Sequence, residues 1–282
     1  MFASLKKYIK RKLEKKVIQP VYIPTIQGKM LTGKTALITG GTSGIGLALA
    51  EACARCGCNM VIITGRNQER AEKTALKLAS TYETEVRGIE LDLTRANTIE
   101  HAFNKALEFS DIHILFNNAG IYDGSSFGNV DAETFDNVIN TNLRGSFILS
   151  QYMSKHMIEK AIPGNICNIC SSSSFRPAID PYMLSKWGLR GFTLGLAKKL
   201  IKHGIVVNGI APGPTATPML MNMDDINLQH GRIPAGRYAT AEEIANLAVF
   251  LVSGMGRMIV GDVISITGGA AITTFDDVNN YM

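Results

Sequence analysis

Residues 34–57 constrain this chain more than any other stretch. They read Lys34-Thr-Ala-Leu-Ile-Thr-Gly-Gly-Thr-Ser-Gly-Ile-Gly46 and run straight into an Ala/Leu-rich segment that ends at Gly57. The apolar run Ala36-Leu37-Ile38 fits a strand buried on both faces of a parallel sheet. The Ala/Leu-rich segment, closed by a glycine C-cap, fits a helix. Between them Gly40 permits a tight turn, while Gly44 and Gly46 let a ligand reach the backbone and let the helix pack on the strand. Free N–H groups and the positive end of the helix dipole then make an anion site, the geometry that holds a dinucleotide's pyrophosphate. Glycine spacing alone is a weak signal. The strand before it and the helix after it supply the context the motif needs.

The alternation continues downstream. Strands are predicted at residues 59–64, 85–91, 112–116, 165–170, 205–210 and 263–266. Helices are predicted at 68–80, 96–109, 132–160, 182–202 and 241–252. With the first strand this makes seven, and strands alternating with helices imply an α/β, Rossmann-type, doubly wound parallel sheet. The chain of 282 residues accommodates one such domain, residues 33–282, behind a basic extension and linker of residues 1–32. No apolar run reaches the length of a membrane-spanning helix.

The net charge of +5 belongs to the first residues. Lys6, Lys7, Lys10, Arg11, Lys12, Lys15 and Lys16 stand against Glu14, a local +6 that leaves −1 for the rest. Nothing in the body reads as a nucleic-acid surface. Phe2, Leu5, Ile9, Leu13 and Val17 recur at helical spacing before Gln19-Pro20 stops the pattern. Two readings of residues 1–18 stand equally: a basic amphipathic helix lying on an anionic membrane or a partner, or a solvated tail. The segment is lysine-rich rather than arginine- and serine-rich, unlike a mitochondrial transit peptide. Residues 21–29, with Pro24, read as an extended linker.

The five cysteines form two Cys-x-x-Cys pairs, Cys53/Cys56 and Cys167/Cys170, with Cys58 apart. The first pair falls late in a helix. The second falls on a core strand, where the spacing sends the side chains to opposite faces. Buried free thiols are expected rather than a metal site, and with no signal peptide the expected compartment is the cytoplasm.

Tyr182-Met-Leu-Ser-Lys186 carries the chemistry. On a helix this spacing stacks Tyr182 and Lys186 on one face. A phenol titrates at about 10 and is a poor acid/base catalyst at neutral pH unless its anion is favoured. An ammonium one turn away is expected to lower that pKa. A tyrosine and a lysine at this spacing also occur by chance on many helices, so the pair alone does not define a site.

Taken together, Thr39-Gly-Gly-Thr-Ser-Gly-Ile-Gly46, Asn117-Asn-Ala-Gly120, Asn142, Ser171, Tyr182/Lys186 and Asn208-Gly-Ile-Ala-Pro-Gly213 resemble, in their order, the classical short-chain dehydrogenase/reductase family. The resemblance covers about residues 33–270. It implies a catalytic tetrad. Tyr182 would be the proton donor or acceptor, and Lys186 would lower its pKa and hold the nicotinamide ribose. Ser171 would hydrogen-bond the substrate oxygen, and Asn142 would kink its helix and hold a water leading to Lys186. The loop of residues 172–181 is shorter than the family's, so Ser172 or Ser173 remains an alternative to Ser171. The resemblance also places Gly40, Ser43, Gly44, Ile45 and Gly46 at the coenzyme phosphates, Asp92 at adenine, and Asn118 at the adenosine ribose. Thr215 and Thr217 would hold the carboxamide. Family members are commonly homodimers or homotetramers.

NADP is expected over NAD. An NAD enzyme of this fold keeps an acid at the end of the second strand, where this chain has Gly65 followed by Arg66, a guanidinium suited to a 2′-phosphate. Ser43 stands where NADP-preferring members often carry a basic residue. The segment from Met219 to Arg232 is expected to cover the substrate, with Ile121, Tyr122 and Phe175 nearby and His230 and Arg232 available to an anionic one. The expected activity is the NADP-dependent interconversion of a ketone and a secondary alcohol. Alternatives are a 3-oxoacyl-thioester or sugar ketoreductase held at a membrane by its N-terminal helix, or a non-catalytic NADP-binding regulatory protein.

Overall fold

Short Val, Ile and Leu runs separated by helical stretches build a single layered sheet in the computed structural model, which describes residues 28–222 and 226–270. The amphipathic segment of residues 1–18, most of the linker and residues 271–282 lie outside the described residues. The strands are β1 (Thr35–Ile38), β2 (Met60–Gly65), β3 (Glu85–Glu90), β4 (Ile114–Asn117), β5 (Asn165–Ile169), β6 (Val206–Pro212), β7 (Thr215–Ala216), β8 (Ala239–Thr240) and β9 (Val263–Ile266). Seven of them form one parallel sheet in the order β3-β2-β1-β4-β5-β6-β9, and β7 pairs with β8 alone. The expected α/β fold and strand count hold, with strand ends displaced by one or two residues.

The helices are α1 (Gly44–Arg55), α2 (Gln68–Thr81), α3 (Ala96–Phe109), α4 (Ala132–Ile139), α5 (Gly145–Glu159), α6 (Pro181–Leu200) and α7 (Ala241–Val252). Both faces of the sheet are covered. Ile38 packs with Leu49 of α1 and Val249 of α7 in one core. Its neighbour Leu37 turns to the other face, where Phe103 of α3, Leu149 of α5 and Leu200 of α6 are buried. That is why β1 reads as an unbroken apolar run rather than an alternation. Burying each such side chain stabilises the fold by about 2 kcal/mol. At the edge of the sheet β3 is only partly covered: Val86 is buried in the first core and Ile89 in the second, while Glu85, Arg87 and Glu90 are exposed. Leu31 is also buried in the first core, and its N–H donates to Cys56 O at 2.9 Å, so the packed body begins inside the segment read as linker.

The stretch read as one helix over residues 132–160 is interrupted. Residues Asn140–Arg144 form a π turn between α4 and α5. The wider turn admits an extra residue, and such bulges mark places where a side chain leaves the helical ladder. Asn142 is that side chain, wholly buried. The strand order reverses between β1 and β4, and in open α/β sheets ligands bind at the carboxyl ends of the strands at such a switch point.

Candidate active site

At the switch point the glycine turn leads into α1. Gly40 and Gly44 have φ of +65° and +54°, and a Cβ on Gly46 would stand 2.1 Å from Gly40 O. Only glycine fits there. Ser43 is the N-cap of α1 in extended backbone, and its side chain caps no N–H of the first turn, so those donors stay directed at the space above. The turn is tied to β4. Thr39 Oγ1 accepts from Asn118 N at 2.9 Å and Ala119 N at 3.0 Å, and Asn118 Nδ2 donates to Thr39 O at 2.9 Å and Gly40 O at 3.2 Å.

The second half of the site comes from β5 and α6. Ser171 follows β5 and caps a 3-10 turn, Ser172–Phe175, its Oγ accepting from Ser173 N at 3.1 Å. Asp180 starts α6 by accepting from Met183 N at 2.7 Å, with Pro181 preset for the first helical position. Tyr182 therefore sits in the first turn and Lys186 one turn later. The Tyr182 hydroxyl faces the Ser171 side chain, which acts to lower its pKa. Of the three candidate serines, all of which line the cavity, Ser171 is the one that acts on the phenol's pKa. The Tyr122 ring meets Tyr182 edge-on with centroids 5.3 Å apart. Lys186 Nζ lies 5.7 Å from the Tyr182 ring centre and donates to Ile169 O at 2.8 Å.

These groups surround one cavity of about 480 Å³. The turn contributes Gly40, Ser43, Gly44 and Ile45. Ser171, Tyr182 and Lys186 face them, and Asn118, Thr215 and Thr217 complete the wall. Gly46, Arg66, Asp92 and Asn142 lie outside the lining. Asn142 acts from behind it: Oδ1 accepts from Ile121 N at 2.8 Å, and Nδ2 donates to Ile121 O at 3.0 Å and Ser185 Oγ at 3.1 Å. His230 and Arg232, read as possible anion contacts, are not among the lining residues, and the His230 ring packs edge-on against Tyr238 at 4.7 Å. Phe175 stacks under Arg190 at 4.0 Å instead of facing the cavity.

The electrostatics differ from the expectation at one point. Tyr182 is raised above its ordinary value, not lowered: enclosure of the hydroxyl dominates, the Ser171 side chain opposes it, and Asp180 adds to the rise. Lys186 does not offset this because burial depresses its own pKa to about 8, the amine having exchanged water for one carbonyl. Asp92 is lowered overall. Partial burial acts upward, but hydrogen bonds from Thr94 and the cations of Arg95 and Arg66 outweigh it.

The family model of the short chain dehydrogenases matches residues 34–227. The chain belongs to that family. The dehydrogenase is 38% identical over 244 residues to a 3-oxoacyl-(acyl-carrier-protein) reductase of Aquifex aeolicus, covering 85% of this chain and 98% of the relative. It is 34% identical over 256 residues to the gluconate 5-dehydrogenase of Gluconobacter oxydans, covering 86% and 96%. Among solved structures, a gluconate 5-dehydrogenase from Burkholderia cenocepacia in complex with NADP and tartrate superposes with a TM-score of 0.79 at 30% identity, covering 87% and 98%.

Several groups that shape the dehydrogenase site carry a role that the sequence does not show, Asn117 of the Asn117-Asn-Ala-Gly120 motif among them. Asn117 Nδ2 donates to Ser150 Oγ and Asn168 Oδ1, both at 2.8 Å, and Asn168 Nδ2 donates to Thr193 Oγ1 at 2.9 Å. This buried chain locks α5 and α6 to the sheet and so sets the height of Tyr182 and Lys186. Thr42 fills the space beside Gly65, where a Cβ would come within 2.9 Å of its Cγ2. Arg176 and Met183 also line the cavity. Asp180-Pro181, by contrast, is a helix-start signature readable in advance.

Proposed function

We propose that this dehydrogenase interconverts a ketone and a secondary alcohol with NADP(H), using Ser171, Tyr182, Lys186 and Asn142. The coenzyme fits the cradle: positive-φ glycines, a Cβ-free approach at Gly46 and uncapped N–H groups suit a pyrophosphate. NADPH, when bound, supplies a hydride to the carbonyl carbon, and NADP⁺ removes one from the alcohol. Gly40, Ser43, Gly44, Ile45 and Gly46 hold the phosphates, Asp92 and Asn118 the adenosine end, and Thr215 and Thr217 the carboxamide. The preference for NADP rests on Gly65 and Arg66. Thr42 occupies the place where an acidic side chain would stem, and Arg66 carries the charge for a 2′-phosphate. The solved relative with NADP agrees with this preference.

Ser171 Oγ and the Tyr182 hydroxyl converge on the substrate oxygen. As negative charge builds on that oxygen in reduction, Ser171 stabilises it and Tyr182 gives it a proton. The raised pKa of Tyr182 suits this direction, because the phenol keeps its proton at neutral pH. Lys186, still mostly charged at pH 7 with a pKa of about 8, stabilises the phenolate left behind. The observation that carries the reading is that Ser171, Tyr182 and Lys186 line the same cavity as the glycine turn. The test is NADPH absorbance with a panel of ketones. Oxidation of NADPH by at least one is expected, whereas tight NADPH binding with no turnover of any ketone would favour the non-catalytic reading.

A homodimer or homotetramer is supported by apolar groups on α5 and α6 that face outward: Phe147, Leu184, Trp187 and Leu194 are each 40% or more exposed. Among the described residues no helix is long and apolar enough to cross a membrane. Any membrane contact of a cytoplasmic enzyme would rest on residues 1–18, and salt-sensitive binding to anionic vesicles, lost on deleting them, is its test.

A further inference from the structure

Among the described residues, three that line the cavity carry a formal charge: Arg176, Asp180 and Lys186. Two are already engaged. Lys186 lies beside Tyr182 with its amine on Ile169 O, and Asp180 caps α6 through Met183 N. Arg176 is different. Its backbone is fixed: Pro177 restricts it to extended geometry, φ −116° and ψ 158°, and Trp187 Nε1 donates to its carbonyl at 2.6 Å. Its guanidinium makes one recorded hydrogen bond among the described residues, from Nη2 to Ala270 O at 3.0 Å. A guanidinium has five N–H donors in a fork matched to carboxylates. Beside Ser172 and Ser173, the wall on this side is built of Tyr122, Met183, Met219 and Leu220.

We propose that Arg176 anchors a carboxylate of the substrate, so that the enzyme's ketone is a keto acid; this rests on the ketone–alcohol reading above. The carbonyl oxygen would lie at Ser171 and Tyr182, a short apolar chain along the methionine wall, and the carboxylate at Arg176. Among the described lining residues two cations stand against one acid, a single net positive charge that matches a monoanion better than a doubly charged phosphate.

The test compares levulinate and acetoacetate with their neutral methyl esters, in the wild type and in Arg176→Gln. In the wild type the ester KM should exceed the acid KM by about tenfold or more, and in the variant that ratio should fall towards one. Equal KM values for acid and ester in the wild type would overturn the anchor. So would a variant that loses acid and ester activity alike, the behaviour of a residue that only tethers Ala270. Calorimetric binding of levulinate to the NADP-loaded protein gives a second readout. If no ketone or ester is turned over, the reductase reading fails, and levulinate binding decides the anchor alone: weakened by Arg176→Gln it stands, indifferent to the variant it falls.

Discussion

Asn142 grips the backbone of Ile121 with both ends of its amide, accepting from the N–H at 2.8 Å and donating to the carbonyl at 3.0 Å. The contact fastens the π turn to the loop after β4, directly behind Lys186. Replacing Asn142 by Ala would take this partner from the half-buried N–H and carbonyl of Ile121 and from the buried Ser185 hydroxyl. A loss of about 2–4 kcal/mol in urea unfolding is expected, together with lower turnover. Unchanged stability would show that the clamp is not maintained in solution.

Tyr182→Phe removes the proton donor and keeps the ring that packs on Tyr122. Turnover should fall by about a thousandfold. NADPH affinity, measured by calorimetry, should change by less than about threefold. Retained turnover would mean that another group supplies the proton.

Opposite pH trends follow from the raised pKa of Tyr182. Reduction uses the protonated phenol and should hold steady through neutral pH. Alcohol oxidation needs the phenolate, so its rate should climb with pH from 7 to 10. A flat ratio of the two rates over that range would argue against Tyr182 as the titrating group.

Lys186 is held against its own stability. Its folded pKa of about 8 lies below the ordinary 10.5, so between these values the unfolded chain binds more protons and stability rises with pH. The depression corresponds to about 3 kcal/mol at pH 7, partly offset by the hydrogen bond to Ile169 O. Lys186→Met should therefore be inactive yet more stable by about 1–2 kcal/mol at pH 7, with the stability rise above pH 8 flattened. Denaturant titrations at pH 7, 8 and 9.5 would measure both effects.

Arg66 is exposed, which limits what its charge contributes. Arg66→Ala should weaken NADPH by about tenfold relative to NADH, as read by competition binding. Equal losses would mean that the 2′-phosphate is held elsewhere.

Most of the fold was legible because β1, β4 and β5 are short apolar runs and the helices between them keep their period. The kink at Asn142 was legible only through the family resemblance, since the helical pattern runs through residues 140–144 without a break in composition. Tyr182, Lys186 and the glycine turn were legible as local spacings. The direction of the phenol's titration was not, because it depends on how deeply both partners are enclosed, and that is decided by β5, Tyr122 and the Asn117–Asn168 chain. Thr42 against Gly65 is likewise a product of tertiary approach.

Asp180 and Pro181 fix where α6 begins, and so the angular phase of everything after them. A residue inserted between Tyr182 and Lys186 would rotate the amine by about 100° away from the phenol. Residues added between Arg176 and Asp180 would be absorbed by the loop, with the helix restarting at the same cap. Lineages, or engineers, can therefore lengthen and rewrite the segment that greets the substrate while the proton-handling pair is inherited unchanged.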